Sequence, residues 1–600
     1  MRTMLVAGLI SCVLPALAPS ASGADEWKAA EGPLMTRWAK EVSPVNARPE
    51  YPRPQMVRKQ WQSLNGLWQF AARAENEPPP IGSELKERIL VPFPVESALS
   101  GIMRHESRMW YRRTFEVPKD WQGKHLLLHF DAIDWEATAY LNGKKLPTHR
   151  GGYDAFGFDI TGFLSKDGPQ ELIVGVTDPT DAGEQPRGKQ VTHPNGIWYT
   201  PTSGIWQTVW IEPVNRPFIE SLKIIPDLDA GAVHITASVA AARNSDEVEV
   251  QVRPAAGTDG SREQFQPVSG RPNSQITKKV DHPHLWSPDD PFLYALHVSL
   301  RRGGNVVDEV DSYFAMRKVS IGQDDKGVTR IRLNDKPIFM LGPLDQGFWP
   351  DGIYTAPTDE ALKFDIEAEK KLGFNMVHKH VKVEPERWYY WCDKLGLFVW
   401  QDMPSGSEKP IKTDEGRTQF ERELDRLVQG RGNHPCIIMW VVFNEGWGQF
   451  DTERLVNHVK ETDPTRLVDN ASGWTDKGVG DVIDKHNYPD PAMPPPEKTR
   501  AAVLGEFGGL GLAIDGHTWA KKHWGYRGVA DQEHLTQQYV DMLDHAWALR
   551  DKGLSAAVYT QITDVETETN GLLTYDREVF KVDPNRAAVA AHGQVQRAGP

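Results

Sequence analysis

The chain is poor in cysteine, with three in 600 residues. Cys12 lies inside an N-terminal apolar stretch, which leaves Cys392 and Cys436 for at most one bridge. A disulfide framework is excluded, and no Cys/His spacing suggests a zinc site. A basic excess is also lacking: 68 Lys and Arg face 82 Asp and Glu, a net charge of −14. Nucleic acid and anionic membrane surfaces attract a basic face, so neither is expected as a partner. After the N-terminus no apolar run is long enough to span a bilayer. No internal repeat is found, and the one low-complexity patch is the stiff "DPAMPPP" of Asp490–Pro496.

What is present fits a large soluble protein. Hydrophobic residues make up 39% and charged residues 25%, and 600 residues require several domains. Arg2, the apolar stretch after it, and small residues at Ser22 and Ala24 read as a secretory leader over residues 1–24. The protein is therefore expected to be secreted or periplasmic. "LISC" at Leu9–Cys12 loosely resembles a lipoprotein box, but the apolar run continues past Cys12, which disfavours lipid anchoring.

From "LNGLWQF" onward, short alternating runs such as "MWYRRTFEV", "HLLLHFDAI" and "ELIVGVTD" predict a jelly-roll sandwich over residues 25–215, including an N-terminal extension. A second group of strands, among them "GAVHITASVA" and "YALHVSLRR", predicts an immunoglobulin-like sandwich over residues 216–321. Residues 322–600 alternate apolar strands with helical patterns, and eight such strands predict a (β/α)8 barrel.

Barrel active sites lie at the C-terminal ends of the strands. The fourth strand, "CIIMWVVFNE", ends in Asn444 and Glu445; the seventh, "AAVLGEFGG", carries Glu506. Two carboxylates at one mouth suit a retaining glycosidase, in which they stand about 5–5.5 Å apart. Trp440, Phe443 and Trp447 could desolvate one of them and raise its pKa. Asn444 is placed to bond a sugar hydroxyl. Strand-end polar groups at Asp345, Asp402 and Gln561, and the Trp474 ring, either line the sugar pocket or cap helices. "GIWYTPTSGIWQTVW" (Gly196–Trp210) either reaches the barrel mouth or closes its own core.

At this point the chain resembles the family 2 glycoside hydrolases, the group of β-galactosidases, β-glucuronidases and β-mannosidases. "WYRRTFEVP" and "ATAYLNGKKLPTHRGGYDAFGFDIT" resemble the family's sugar-binding domain. "GRGNHPCIIMWVVFNEGWG" resembles its acid/base signature, which implies that role for Glu445. "LGEFGG" resembles the nucleophile segment, which implies Glu506. The resemblance further implies retention of configuration, no organic cofactor, self-association in many members, and a tyrosine, here Tyr488, that bonds the nucleophile; no metal is expected.

One departure stands out. Where relatives carry an arginine that keeps the nucleophile ionised, this chain has His378, with Lys379 or His380 as possible substitutes. The readings are then an exo-β-glycosidase or a carbohydrate-binding protein on the same scaffold that has lost catalysis. For the sugar, β-glucuronidases of the family share an Asn-x-Lys step after strand eight; here it reads Asn570, Gly571, Leu572. Nearby Asp564, Glu566 and Glu568 would repel a uronic acid if they faced the mouth. The expectation is a neutral sugar, a β-galactoside first, with β-mannoside, β-glucuronide or furanoside as alternatives.

Overall fold

A computed structural model describes residues 27–254, 266–406 and 408–594. The expected leader and Cys12 lie outside these residues. Among the described residues no helix is long and apolar enough to cross a membrane. Cys392 and Cys436 are buried and unbridged.

Two antiparallel sheets, of six and four strands, form the first sandwich. Glu136–Leu141 and His125–Phe130 show why: alternate residues are buried along each strand, so each sheet has one apolar face. Those faces meet over Trp68, Phe70, Tyr111, Leu128, Val174 and Ile211. A second sandwich follows, with sheets of three and four strands packed over Ile224, Ile235, Val250, Val298 and Phe314.

The barrel strands are β1 (Met340–Asp345), β2 (Met376–Lys379), β3 (Phe398–Asp402), β4 (Ile437–Val441), β5 (Leu467–Asp469), β6 (Val482–Asn487), β7 (Ala501–Gly508) and β8 (Leu554–Thr560). They pair in parallel in the order β5-β4-β3-β2-β1-β8-β7-β6. Asp481 closes the seam between β5 and β6. Its amide donates to Val468 O and its carboxylate accepts from Val468 N, both at 2.8 Å. β1 to β5 are buried throughout, as expected of strands covered on both faces.

Helices α1 (Asp359–Lys371), α2 (Glu386–Leu395), α3 (Asp414–Arg431) and α4 (Thr452–Thr462) connect the first five strands. α5 (Gln532–Lys552) joins β7 to β8, and α6 (Pro584–Ala591) follows. Thr358 caps α1 by accepting from Ala361 N at 3.1 Å, and Asp531 caps α5 by accepting from His534 N at 2.9 Å.

The Trp-rich loop of the first sandwich does both things its sequence allows. Ile205, Trp206 and Val209 are fully buried, with Ile205 and Val209 in the sandwich core. Upstream, the loop docks on the barrel: Tyr199 donates to Glu568 at 2.5 Å, Thr200 N donates to Glu566 at 2.8 Å, and Trp198 packs 5.0 Å from Trp447. The mouth is therefore walled by two domains.

Candidate active site

β4 ends at Val441, and the chain turns before it delivers Glu445. Glu445 N donates to Ser472 O and Ser472 N to Phe443 O, both at 2.9 Å, stitching this turn to the end of β5. Glu445 has φ of 51°, a left-handed conformation that costs energy for a non-glycine residue. Such strain persists where the surroundings fix it, and often marks a functional position. Asn444 beside it is buried, and neither atom of its amide has a partner.

Glu506 reaches the same space by a different device. Its strand shifts register around Gly505 and Glu506 against both neighbours, a bulge that re-aims a side chain. Gly505 is required there: a Cβ would lie 2.3 Å from Asp484 Oδ2. Its amide instead donates to Asp484 Oδ1 at 2.6 Å.

The two glutamates converge. Glu445, His486 and Glu506 each offer an atom within 4.8 Å of the others. His486 Nδ1 is 2.9 Å from Glu445 Oε1 and 3.5 Å from Glu506 Oε2. Its Nε2 lies 2.8 Å from Ser472 Oγ, which donates onward to Asp484 Oδ2 at 2.7 Å. Burial opposes charge on this ring, but Glu506 and the bond to Glu445 outweigh it and push its pKa up to about 9. His486 is thus a cation at neutral pH.

The surroundings of the two acids differ. Tyr488 donates to Glu506 Oε2 at 2.5 Å and lies 2.8 Å from Thr560 Oγ1. The Tyr488 ring stacks on Tyr526 at 4.1 Å. Burial would raise the Glu506 pKa, yet the charges of His486 and Lys189, with the Tyr488 hydroxyl, bring it below the ordinary value. Glu445 is the more open, with 14% of its side chain exposed against 8% for Glu506.

His378 does not hydrogen-bond to Glu506. It is fully buried, with Nε2 at 2.5 Å from Asp402 Oδ1. Asp402 Oδ2 accepts from Val381 N and pairs with His380 Nδ1, each at 3.0 Å. Burial, reinforced by Lys189, lowers the His380 pKa to about 4. His380 is therefore neutral, and its Nε2 has no partner. Both oxygens of Asp402 are thus engaged in fixing these two rings.

Asp345 and Lys379 likewise do not join the glutamates. They pair with each other, and Lys379 also meets Glu384 at 3.0 Å. Lys382 completes the group by donating to Glu384, Gly347 O and Tyr354 O. Charges this deeply buried must be paired, so this cluster braces the barrel beneath the mouth. Gln561 is locked between Gln346 and Asn570 at 2.9 Å each. Trp474 is the exposed member, at 64%, with its ring 5.5 Å from His486.

Two residues at the centre carried little or no signal in the sequence. His486 stands two places before Tyr488, where a histidine can line a pocket or simply pack. Lys189 belongs to the first sandwich, more than 250 residues from either glutamate. Two groups, Glu445–His486–Glu506 and His378–His380–Asp402, are close enough to share an ion. In both, the histidine nitrogens that face the acids are already hydrogen-bonded to a carboxylate.

A parallel barrel with paired acids at its C-terminal mouth, behind two β-sandwiches, defines a glycoside hydrolase. Sequence models agree. The galactose-binding domain-like model of glycosyl hydrolase 2 matches residues 91–206. The glycosyl hydrolases family 2 model matches 218–317, and that family's TIM barrel domain matches 330–505. The chain belongs to the glycosyl hydrolases family 2.

Among similar curated proteins, a beta-galactosidase of Thermoanaerobacter pseudethanolicus is 27% identical over 58% of this chain and 46% of its own length. A beta-glucuronidase of Bacteroides fragilis is 24% identical over 60% of this chain and 54% of its own. The chain thus spans about half the length of these relatives. Of solved structures, the β-glucuronidase from Ruminococcus gnavus in complex with D-glucuronic acid superposes with a TM-score of 0.71 at 18% identity, covering 91% of this chain and 99% of that one. The Bacteroides uniformis beta-glucuronidase gives 0.68 at 21%, covering 86% and 68%. At these identities the likeness is one of fold.

Proposed function

We propose that this chain hydrolyses β-glycosides from the non-reducing end with retention of configuration, by double displacement. The observation that carries this reading is the approach of Glu445 and Glu506 oxygens to within 4.8 Å, each facing a different environment. That spacing fits the short carboxyl separation of retention rather than the roughly 6.5–9.5 Å of inversion. Glu506, held ionised and aimed by Tyr488, attacks the anomeric carbon. Glu445, on the open side, protonates the leaving oxygen and then activates water. The unpartnered amide of Asn444 is free to bond a sugar hydroxyl beside the reacting carbon. The leader-like N-terminus supports export.

The acids that argued for a neutral sugar are engaged elsewhere. Asp564 pairs with Lys581 at 2.6 Å, while Glu566 and Glu568 anchor the first-sandwich loop. Repulsion of an acidic sugar by these groups is therefore weak. Leu572 is fully buried in the apolar cluster around β8. The relatives themselves divide between beta-galactosidases and beta-glucuronidases.

The test is a panel of nitrophenyl β-glycosides, with product anomers followed by NMR. Release of the β-anomer first supports the reading, and first release of the α-anomer would sink it. Trapping with a 2-deoxy-2-fluoro glycosyl fluoride should label the peptide containing Glu506.

A further inference from the structure

Among the described residues, every buried basic side chain but one has a hydrogen-bond or ion-pair partner. Lys379, Lys382 and Lys581 meet carboxylates, Lys278 meets the carbonyl of Gln266, and the buried arginines all donate to carboxylates or carbonyls. The exception is Lys189. It is 5% exposed, and no hydrogen bond or ion pair joins its ammonium to an oxygen of the described residues.

Its position is not accidental. The backbone is pinned where the loop folds on itself: Tyr199 N donates to Lys189 O at 2.9 Å, and Val191 N donates to Tyr199 O at 3.1 Å. The same Tyr199 is tied to the barrel through Glu568. Lys189 Nζ lies 5.6 Å from the Trp447 ring centroid and 5.9 Å from that of Tyr199, two rings that narrow its access to water. Trp447 in turn is 6.1 Å from His380. The ammonium acts electrostatically on Glu506, His380 and Glu568. It therefore sits at the mouth holding the glutamate pair, carried there by another domain.

We infer that Lys189 is a receptor for a negatively charged substituent, a carboxylate or a sulfate ester, on the sugar that occupies this mouth. This deepens the proposed glycosidase reading and rests on it. With no acceptor among the described residues and two aromatic walls beside it, the ammonium depends on the little water that reaches it. A charge-assisted bond to an anionic oxygen would satisfy it more strongly than a neutral hydroxyl could. The lysines at the end of β2 and just after it cannot do this, since Lys379 and Lys382 are consumed in the buried cluster with Asp345 and Glu384. Glu568, another acid that feels this ammonium, already accepts from Tyr199 and Asn570.

The experiment uses the full chain and matched nitrophenyl β-glycosides: glucoside, glucuronide and glucoside 6-sulfate, and the same three in the galacto series. In at least one series an acidic member should have the higher kcat/KM, and which acidic member wins separates carboxylate from sulfate. Lys189→Met should cost that member on the order of 10²-fold, mainly through KM. The neutral counterpart should lose at least about tenfold less, and Lys189→Arg should restore much of the preference. Preference for the neutral member in both series would overturn the inference and leave the hydrolase reading standing. So would an equal loss on neutral and acidic members, which would mean that Lys189 serves only the charge of Glu506. Saturation-transfer NMR with free glucuronate, glucose 6-sulfate and glucose reports binding without turnover. If no glycoside is cleaved, the hydrolase reading falls, and failure of both free anionic sugars to bind better than glucose overturns this one.

Discussion

His486 Nδ1 lies 2.9 Å from Glu445 Oε1 and is charged at neutral pH. One imidazolium therefore faces both proposed catalytic acids, because Glu506 Oε2 is only 3.5 Å from the same nitrogen. The arginine expected on β2 is absent, and its electrostatic work on Glu506 falls to His486 from β6 and Lys189 from the first sandwich.

Removing His486 should make stability depend differently on pH. A pKa raised to about 9 in the folded protein, against about 6.5 unfolded, stabilises fully below pH 6.5. That contribution shrinks as pH rises and is gone above about 9, with an upper bound of about 3 kcal/mol. The Tm of wild type minus that of His486→Gln, measured from pH 6 to 10, should fall along this range. A difference that stays flat or grows with pH would refute the charged state.

Glu506→Ala should lose on the order of 10⁴-fold or more in kcat, since the covalent route disappears. Azide should restore part of the turnover and give a glycosyl azide of inverted configuration. Near-normal kinetics in this variant would remove Glu506 from the role.

Glu445→Gln should slow glycosides with poor leaving groups far more than nitrophenyl or dinitrophenyl glycosides, because only the former need a proton in the first step. Equal losses across a leaving-group series would contradict assignment of the acid.

Tyr488→Phe removes the hydroxyl that donates to Glu506 at 2.5 Å. The folded pKa of Glu506 should rise, so the acid limb of kcat/KM should move to higher pH. A loss on the order of 10²-fold near neutrality is expected from removal of such a donor. An unmoved acid limb would show that the tyrosine does not set the charge of Glu506.

His378→Arg should not improve the enzyme, despite the arginine of its relatives. The ring is fully buried against Asp402, and a guanidinium there is overpacked by about 1–3 kcal/mol. A lower Tm with reduced activity is the expected result. A variant of unchanged Tm and broader pH profile would return the arginine's role to this position.

The architecture was legible because period-two and strand–helix patterns are local. "HLLLHFDAI" and "AAVLGEFGG" each state which face is buried, or that both are, before any partner is known. Asn444, Glu445, Glu506 and Tyr488 could be singled out for the same reason, since motif and strand end coincide.

What the sequence could not decide was pairing across the molecule. Asp345, Lys379 and Asp402 sit at strand ends just as Glu506 does, yet their charges find one another, or histidines, beneath the mouth. Burial makes such pairing obligatory, and only the packed structure says which partners are near. The bulge at Gly505 and Glu506 redirected one carboxylate into the mouth, while Lys189 came from a separate domain through a loop pinned at Tyr199 and Glu568. Alternation and motif lie along the chain and are fixed by the sequence. The field at Glu506 is a sum over groups near in space, and the tertiary fold alone assembled it.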